Sequence, residues 1–125
     1  MRGPLARPPV PLAATRRESF EDLVLDAAEK IDAHLARTAD RSLDDVGFAI
    51  EDVPVFAAGE EPDVVPLGHV VEAEGEDPPT IVIHRRTIEL RSEDGEDRAE
   101  LVHDAVVEQV AALLGLDPDD LDPGY

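Results

Sequence analysis

The chain has 125 residues and a formal net charge of −19 at pH 7, with 30 acidic residues against 11 lysines and arginines. Its length corresponds to one domain, and 42% hydrophobic residues suffice for a folded core. The absence of cysteine excludes disulfide bonds and thiolate zinc sites. No apolar run approaches the ~20 residues of a membrane helix, so we expect a cytoplasmic protein without a membrane partner.

The acidic charge also bears on the partners of the protein. Phosphate binding depends on clustered lysine and arginine side chains, so a surface this acidic excludes nucleic acid as a partner. A peptide or a basic protein fits the charge, although acidic side chains also serve simply to keep a protein in solution.

Residues 1–17 differ in composition from the rest of the chain. They are basic and rich in proline, and they lack a periodic apolar face. Prolines favour extended backbone without a hydrogen-bond ladder, so the sequence predicts a disordered arm, followed by one domain over residues 18–125. Alternatively, three apolar residues hold the arm against the domain: Leu5, Val10 and Leu12.

A first helix is predicted to begin at Ser19 and to end near Arg37. Ser19 can cap the amide of Asp22, and acids in the first turn favour the positive end of the helix dipole. Apolar residues then recur at helical spacing. They are Phe20, Leu23, Val24, Ala27, Ala28, Ile31 and Leu35.

The middle of the chain alternates strand patterns with turns. Strands are predicted over Val46–Val53, ended by Pro54, over Leu67–Ala73, and over Thr80–His84, whose first four residues are β-branched and which is expected to be central. A loop over Val55–Pro66 separates the first two strands. Arg85–Arg91 predicts a short helix or turn, in which Arg85 and Arg86 pair with acids such as Glu89 or bind an anion.

The last long helix is predicted over Leu101–Leu114, because its apolar residues recur at helical spacing. Gly115 suits the left-handed position after a helix, and Pro118 cannot continue it. We expect Leu101, Val106, Val110 and Leu114 to pack against Phe20, Leu23, Leu35 and the strand Ile81–Ile83. Helix, two or three strands and helix make a small α+β domain.

The run Val106–Leu116, VVEQVAALLGL, resembles the active-site helix of the small bacterial zincin-like metallopeptidases, which typically reads VVHExAHHFGI. The strand TIVIH followed by two arginines is similar to the strand–RRP segment of that family. The resemblance covers roughly Phe20–Asp119. It implies a zincin-like fold with an N-terminal helix, short strands and a C-terminal motif helix, together with a zinc cofactor and peptidase activity.

The residues that carry the family's chemistry differ in this chain. The first zinc histidine falls on Glu108, the catalytic glutamate on Gln109 and the second histidine on Ala112. The acidic third ligand falls on Pro118, between Asp117 and Asp119. A zinc site of this type needs two histidines one turn apart and a glutamate that acts on the bound water. We therefore expect no catalytic residue at the motif helix and no metal or other cofactor in the protein.

Three functions remain open from the sequence, one of which is a structural or regulatory protein with no inherited cleft function. Another is a pseudoenzyme that has lost zinc binding and peptidase activity and binds a peptide or protein. The alternative is an active metallopeptidase or hydrolase with a displaced metal site, made by His69, His84 and His103. His103 lies about 140° around the helix from Glu108, so these two side chains cannot share an ion.

Overall fold

The computed structural model describes residues 12–52 and 66–122, with side chains from Arg16 onward. Four helices and three strands are present in these residues, which confirms the α+β class. In chain order they are α1 (Leu12–Thr38), β1 (Gly47–Glu51), β2 (Gly68–Val71), β3 (Thr80–His84), α2 (Arg85–Arg91), α3 (Gly95–Leu114) and α4 (Pro118–Leu121).

Helix α1 begins at Leu12, so the predicted start at Ser19 is wrong and residues 12–17 are helical rather than part of the arm. Ser19 lies inside the helix, where its Oγ accepts a hydrogen bond from Arg98 Nη2 over 3.4 Å instead of capping an amide. The predicted apolar stripe is confirmed, because Phe20 and Leu35 are fully buried. Residues 1–11, which make up most of the predicted arm, lie outside the described residues.

The three strands form one mixed sheet in the order β1–β3–β2. Strand β3 is central, as predicted, and pairs in parallel with β1 and antiparallel with β2. Both edge strands are shorter than predicted. The predicted end of β1 at Val53 and most of the following loop lie outside the described residues.

Helix α3 is longer than predicted and begins at Gly95 rather than Leu101. The side chain of Asp94 accepts a hydrogen bond from the amide of Asp97 over 2.8 Å and so caps the first turn. The helix ends as predicted, because Gly115 has a left-handed backbone with φ of 70°. The short helix α2 is also confirmed.

Helix α4 was not predicted. Pro118, expected only to stop the preceding helix, occupies the first turn of α4, while Asp117 caps it by accepting from Asp119 N over 3.0 Å. Leu121 inserts into the core, and His34 Nε2 on α1 lies 2.8 Å from the carbonyl oxygen of Asp120. This turn therefore connects the C-terminal part of the chain to α1.

The core lies between the sheet and helices α1 and α3. Most of the predicted contacts are confirmed, since the structure buries Phe20, Leu35, Ile81, Ile83, Val106 and Val110 in one cluster. Three predicted members, Leu23, Leu101 and Leu114, are only partly buried. They lie at the edges of the helical stripes, where solvent still reaches the side chains.

Candidate functional site

The three motif positions of α3 lie near the start of β2. Glu108 and Ala112 are exposed, and Gln109 is partly buried. A Cβ placed on Gly68 would lie only 3.3 Å from Gln109 Cγ, so α3 approaches β2 at this point. No nitrogen ligand stands at any of the three positions, which leaves the motif helix without the donor set of a zinc peptidase.

A different group of side chains could hold a metal ion. Glu51, His69 and His84 each offer a ligand atom, and these three atoms lie within 4.8 Å of one another. His69 Nδ1 is 2.8 Å from His84 Nε2. His84 is 2% exposed, while Glu51 and His69 are partly buried, so the group is reached from the side of Glu51 and His69.

The sheet register brings these residues together. Glu51 at the end of β1 is the partner of His84 at the end of β3, and His69 on β2 is the partner of Val82. Side chains of paired residues point to the same face of a sheet, as do residues two apart on a strand. Glu51, His84 and His69 therefore share one face, with one residue from each strand.

That face is turned away from the motif helix. The missing side chain of Gly68 would point at Gln109 of α3 and at Ile83. Because successive residues of a strand alternate between faces, His69 and His84 point to the opposite side of the sheet. The histidine group and the motif helix are thus separated by the sheet.

Hydrogen bonds determine which ring nitrogens of His69 and His84 are available to bind a metal ion. His84 Nδ1 lies 2.8 Å from the carbonyl oxygen of Pro66, which can only accept, so Nδ1–H of His84 must donate. In the neutral ring, Nε2 of His84 then carries a lone pair and accepts the Nδ1–H of His69. A backbone carbonyl that orients a histidine in this way is typical of metal-ligating imidazoles.

The sequence profile of the zincin-like metallopeptidases matches residues 43–125, which is more than half of the chain. The chain belongs to this family. The resemblance noted in the motif helix and the zincin-like α+β fold are thereby confirmed. No curated protein sequence matches the chain.

Of the three histidines named for a displaced site in this zincin-like protein, the structure brings two together. His69 and His84 meet, but His103 is not part of the group, because its Nε2 lies 2.7 Å from Asp122 Oδ2. Glu51 takes the third place and was missed. Glu51 lies within the predicted strand Val46–Val53, but the parallel register that sets it beside His84 is not visible in the sequence.

The expected absence of a cofactor is not confirmed for this zincin-like protein. Against that expectation, the sheet of this member of a zinc enzyme family carries a group that could hold a metal ion. Of the helices within residues 12–52 and 66–122, none is long and apolar enough to cross a membrane.

Next to Glu51, an ion-pair network joins α1, β1 and α2. Asp52 Oδ1 accepts from Arg17 Nη1 over 2.6 Å and from Arg85 Nε over 2.8 Å, and Arg85 Nη1 also donates to Glu89 over 2.7 Å. The hydrogen bond from Arg85 is the largest influence that lowers the pKa of Asp52. The interpretation that Arg85 pairs with the protein's own acids is confirmed.

An acidic groove lies between α1 and α3 of the zincin-like domain. Its volume is about 560 Å³. It is lined by Lys30, Glu96, Ala99, Glu100, His103, Asp104 and Asp122. Burial is the largest influence on the pKa of Asp104 and raises it. His103 acts next and lowers the pKa, whereas the carboxylates of Glu108, Glu100 and Asp122 raise it further.

Proposed function

We propose that this zincin-like protein does not hydrolyse peptides through its motif helix and acts by binding a basic peptide or protein. The observation that carries the proposal is the identity of the motif residues on α3. They are Glu108, Gln109 and Ala112, where the family's helix has two zinc histidines and a catalytic glutamate.

Each replacement removes a necessary part of the reaction. The methyl group of Ala112 has no ligand atom, and a single carboxylate at Glu108 is too weak a site for zinc. The amide of Gln109 cannot accept a proton from an attacking water at neutral pH. Pro118, at the position of the acidic third ligand, has no side-chain donor atom.

The acidic side chains of α3 favour a cationic partner. Glu96, Glu100, Asp104 and Glu108 follow one another at intervals of four residues and form an acidic stripe that leads to Ala112. Like charges at this spacing destabilise a helix by about 0.2–0.5 kcal/mol per pair. A basic segment lying along the stripe offsets this repulsion and reaches the exposed motif positions.

The proposal is tested by an activity assay and a binding assay on the same purified chain. With zinc added, we expect no cleavage of casein or of a mixture of short peptides. A fluorescent arginine-rich peptide should bind, with an affinity that falls as salt rises. The double substitution Glu96→Gln and Glu100→Gln should weaken its binding at least fivefold.

The matched control is the double substitution Glu74→Gln and Glu76→Gln in the exposed turn between β2 and β3. It removes the same number of charges at a distance from the stripe and should change the affinity less than twofold. If both double substitutions weakened peptide binding equally, only the net charge would matter. That result would overturn the proposal that the acidic stripe binds the peptide. Peptide cleavage that is abolished by substitution of Glu108 or Gln109 would overturn the proposal that the motif helix does not hydrolyse peptides.

A further inference from the structure

We propose that His69, His84 and Glu51 bind one divalent transition-metal ion, and that zinc is the ion best suited to them. This site lies on the face of the sheet opposite α3 and is independent of both the motif helix and the proposed binding of a basic partner. Each strand supplies one ligand, and the register of the sheet places the three side chains on the same face.

The donor set selects the class of metal. Two imidazole nitrogens and one carboxylate oxygen match the three protein ligands of known zinc sites that keep a further position open. Calcium and magnesium prefer sites made of oxygen alone, so they should compete weakly. Cobalt and nickel also accept imidazole and serve as spectroscopic substitutes for zinc.

The present distance between the two rings is that of a hydrogen bond and must open slightly to admit a metal. His69 Nδ1 and His84 Nε2 are 2.8 Å apart. Two nitrogens on a tetrahedral zinc ion, each about 2.0–2.1 Å from it, are roughly 3.3 Å apart. The ring of His69 moves its proton from Nδ1 to Nε2 as it binds, so no net proton is released from a neutral pair.

The two histidines differ in how firmly their side chains are held. His84 is fixed, because it is buried and its Nδ1–H donates to Pro66 O over 2.8 Å. His69 is only partly buried, and the contact with His84 is the sole hydrogen bond of its ring within the described residues. The metal therefore meets one rigid ligand and one that can rotate to the required distance.

Glu51 gives an electrostatic reason for a cation at this place. Its side chain is partly buried, and within residues 12–52 and 66–122 it has no hydrogen-bond or ion-pair partner. Its neighbour Asp52, by contrast, is paired with both Arg17 and Arg85. A cation held by the two imidazoles supplies the carboxylate of Glu51 with an opposite charge.

The experiment is zinc titration of the untagged full chain by calorimetry, with metal content measured after dialysis. We expect about one zinc ion per chain and a higher melting temperature with zinc, because a ligand that binds only the folded state stabilises it. His69→Ala and Glu51→Gln should each weaken zinc binding at least tenfold. Magnesium at the same concentration should not raise the melting temperature.

The matched control is His103→Ala, which removes a partly buried histidine outside the group. Its zinc affinity should stay within twofold of the parent. Circular dichroism of each variant without metal separates loss of a ligand from loss of folding, and Glu51→Gln keeps the size of its side chain. Folded variants at residues 69 and 51 that bind zinc like the parent, or a parent that binds none, would overturn the proposal.

Discussion

Gly68 on β2 lies so close to α3 that a methyl group on it would stand 3.3 Å from Gln109 Cγ. The same methyl group would be 2.6 Å from the carbonyl oxygen of Val82, which belongs to the central strand and cannot rotate away. We therefore expect Gly68→Ala to destabilise the fold by about 1–3 kcal/mol, as overpacking does.

Chemical denaturation measures this loss, and Gly95→Ala is its control. A Cβ on Gly95 meets no atom within 4 Å, so this substitution should be neutral or stabilise by up to about 1 kcal/mol. Equal effects of the two substitutions would mean that residue 68 does not approach Val82 and α3 as closely as described.

Three leucines of different exposure test the packing of the core. Leu35 is 1% exposed, Leu114 is partly buried and Leu90 is 77% exposed. Substitution of Leu35 by alanine should cost about 2–5 kcal/mol, whereas substitution of Leu90 should stay within about 0.5 kcal/mol. The same change at Leu114 should fall between them. A cost at Leu114 as large as that at Leu35 would place residue 114 in the interior.

Asp104 should limit stability at neutral pH. Burial first, and then the neighbouring acids Glu100, Glu108 and Asp122, raise its pKa in the folded state, against the opposing charge of His103. A raised carboxyl pKa means that stability falls as pH rises from the unfolded value toward the folded one. Asp104→Asn should therefore raise the melting temperature at pH 7 and have little effect below about pH 3. An equal gain at both pH values would exclude charge as the cause.

Asp52 should have the opposite pH dependence. Its hydrogen bond with Arg85 lowers its pKa below the ordinary 3.8. Its contribution is therefore complete above the unfolded pKa and is lost as pH falls through the lower folded value. Thermal unfolding of Asp52→Asn should show a deficit at pH 6 that shrinks toward pH 2. A deficit of constant size would point to lost packing instead of lost charge.

Restoring the motif letters should not restore a peptidase. The triple substitution Glu108→His, Gln109→Glu and Ala112→His places two imidazoles one turn apart on α3, and residues 108 and 112 are exposed enough to accept them. Weak zinc binding at the helix should follow, but Pro118 begins α4 and offers no third ligand. Zinc-dependent peptide cleavage that disappears on reverting Gln109 would contradict this expectation.

The sequence predicted those parts of the fold that have strong local signals. The four successive residues Thr80–Ile83 are β-branched, so the place of this strand at the centre of the sheet could be inferred. The end of α3 was equally clear from Gly115. The start of α1 was missed because the prolines before it favoured an arm, and the start of α3 because Asp94 and Gly95 resemble a polar link.

Only two of the three residues in the candidate metal group could be named from the sequence, because the group depends on pairing between distant strands. His69 and His84 could be named from the sequence as residues able to bind a metal. Whether His103 or Glu51 joined them depended on the parallel register of β1 and β3, in which Glu51 faces His84. Strands β1 and β3 are separated in the sequence by β2 and its loops, so no local sequence pattern predicts their register.

The order of the strands in the sheet has a consequence for the chain as it leaves the ribosome. The central strand β3 is the last of the three to be synthesised, so β1 and β2 emerge before either has its partner. Unpaired strand edges are the places where nascent chains associate wrongly. The acids between β2 and β3, Glu72, Glu74, Glu76 and Asp77, are well placed to repel other nascent chains until β3 arrives.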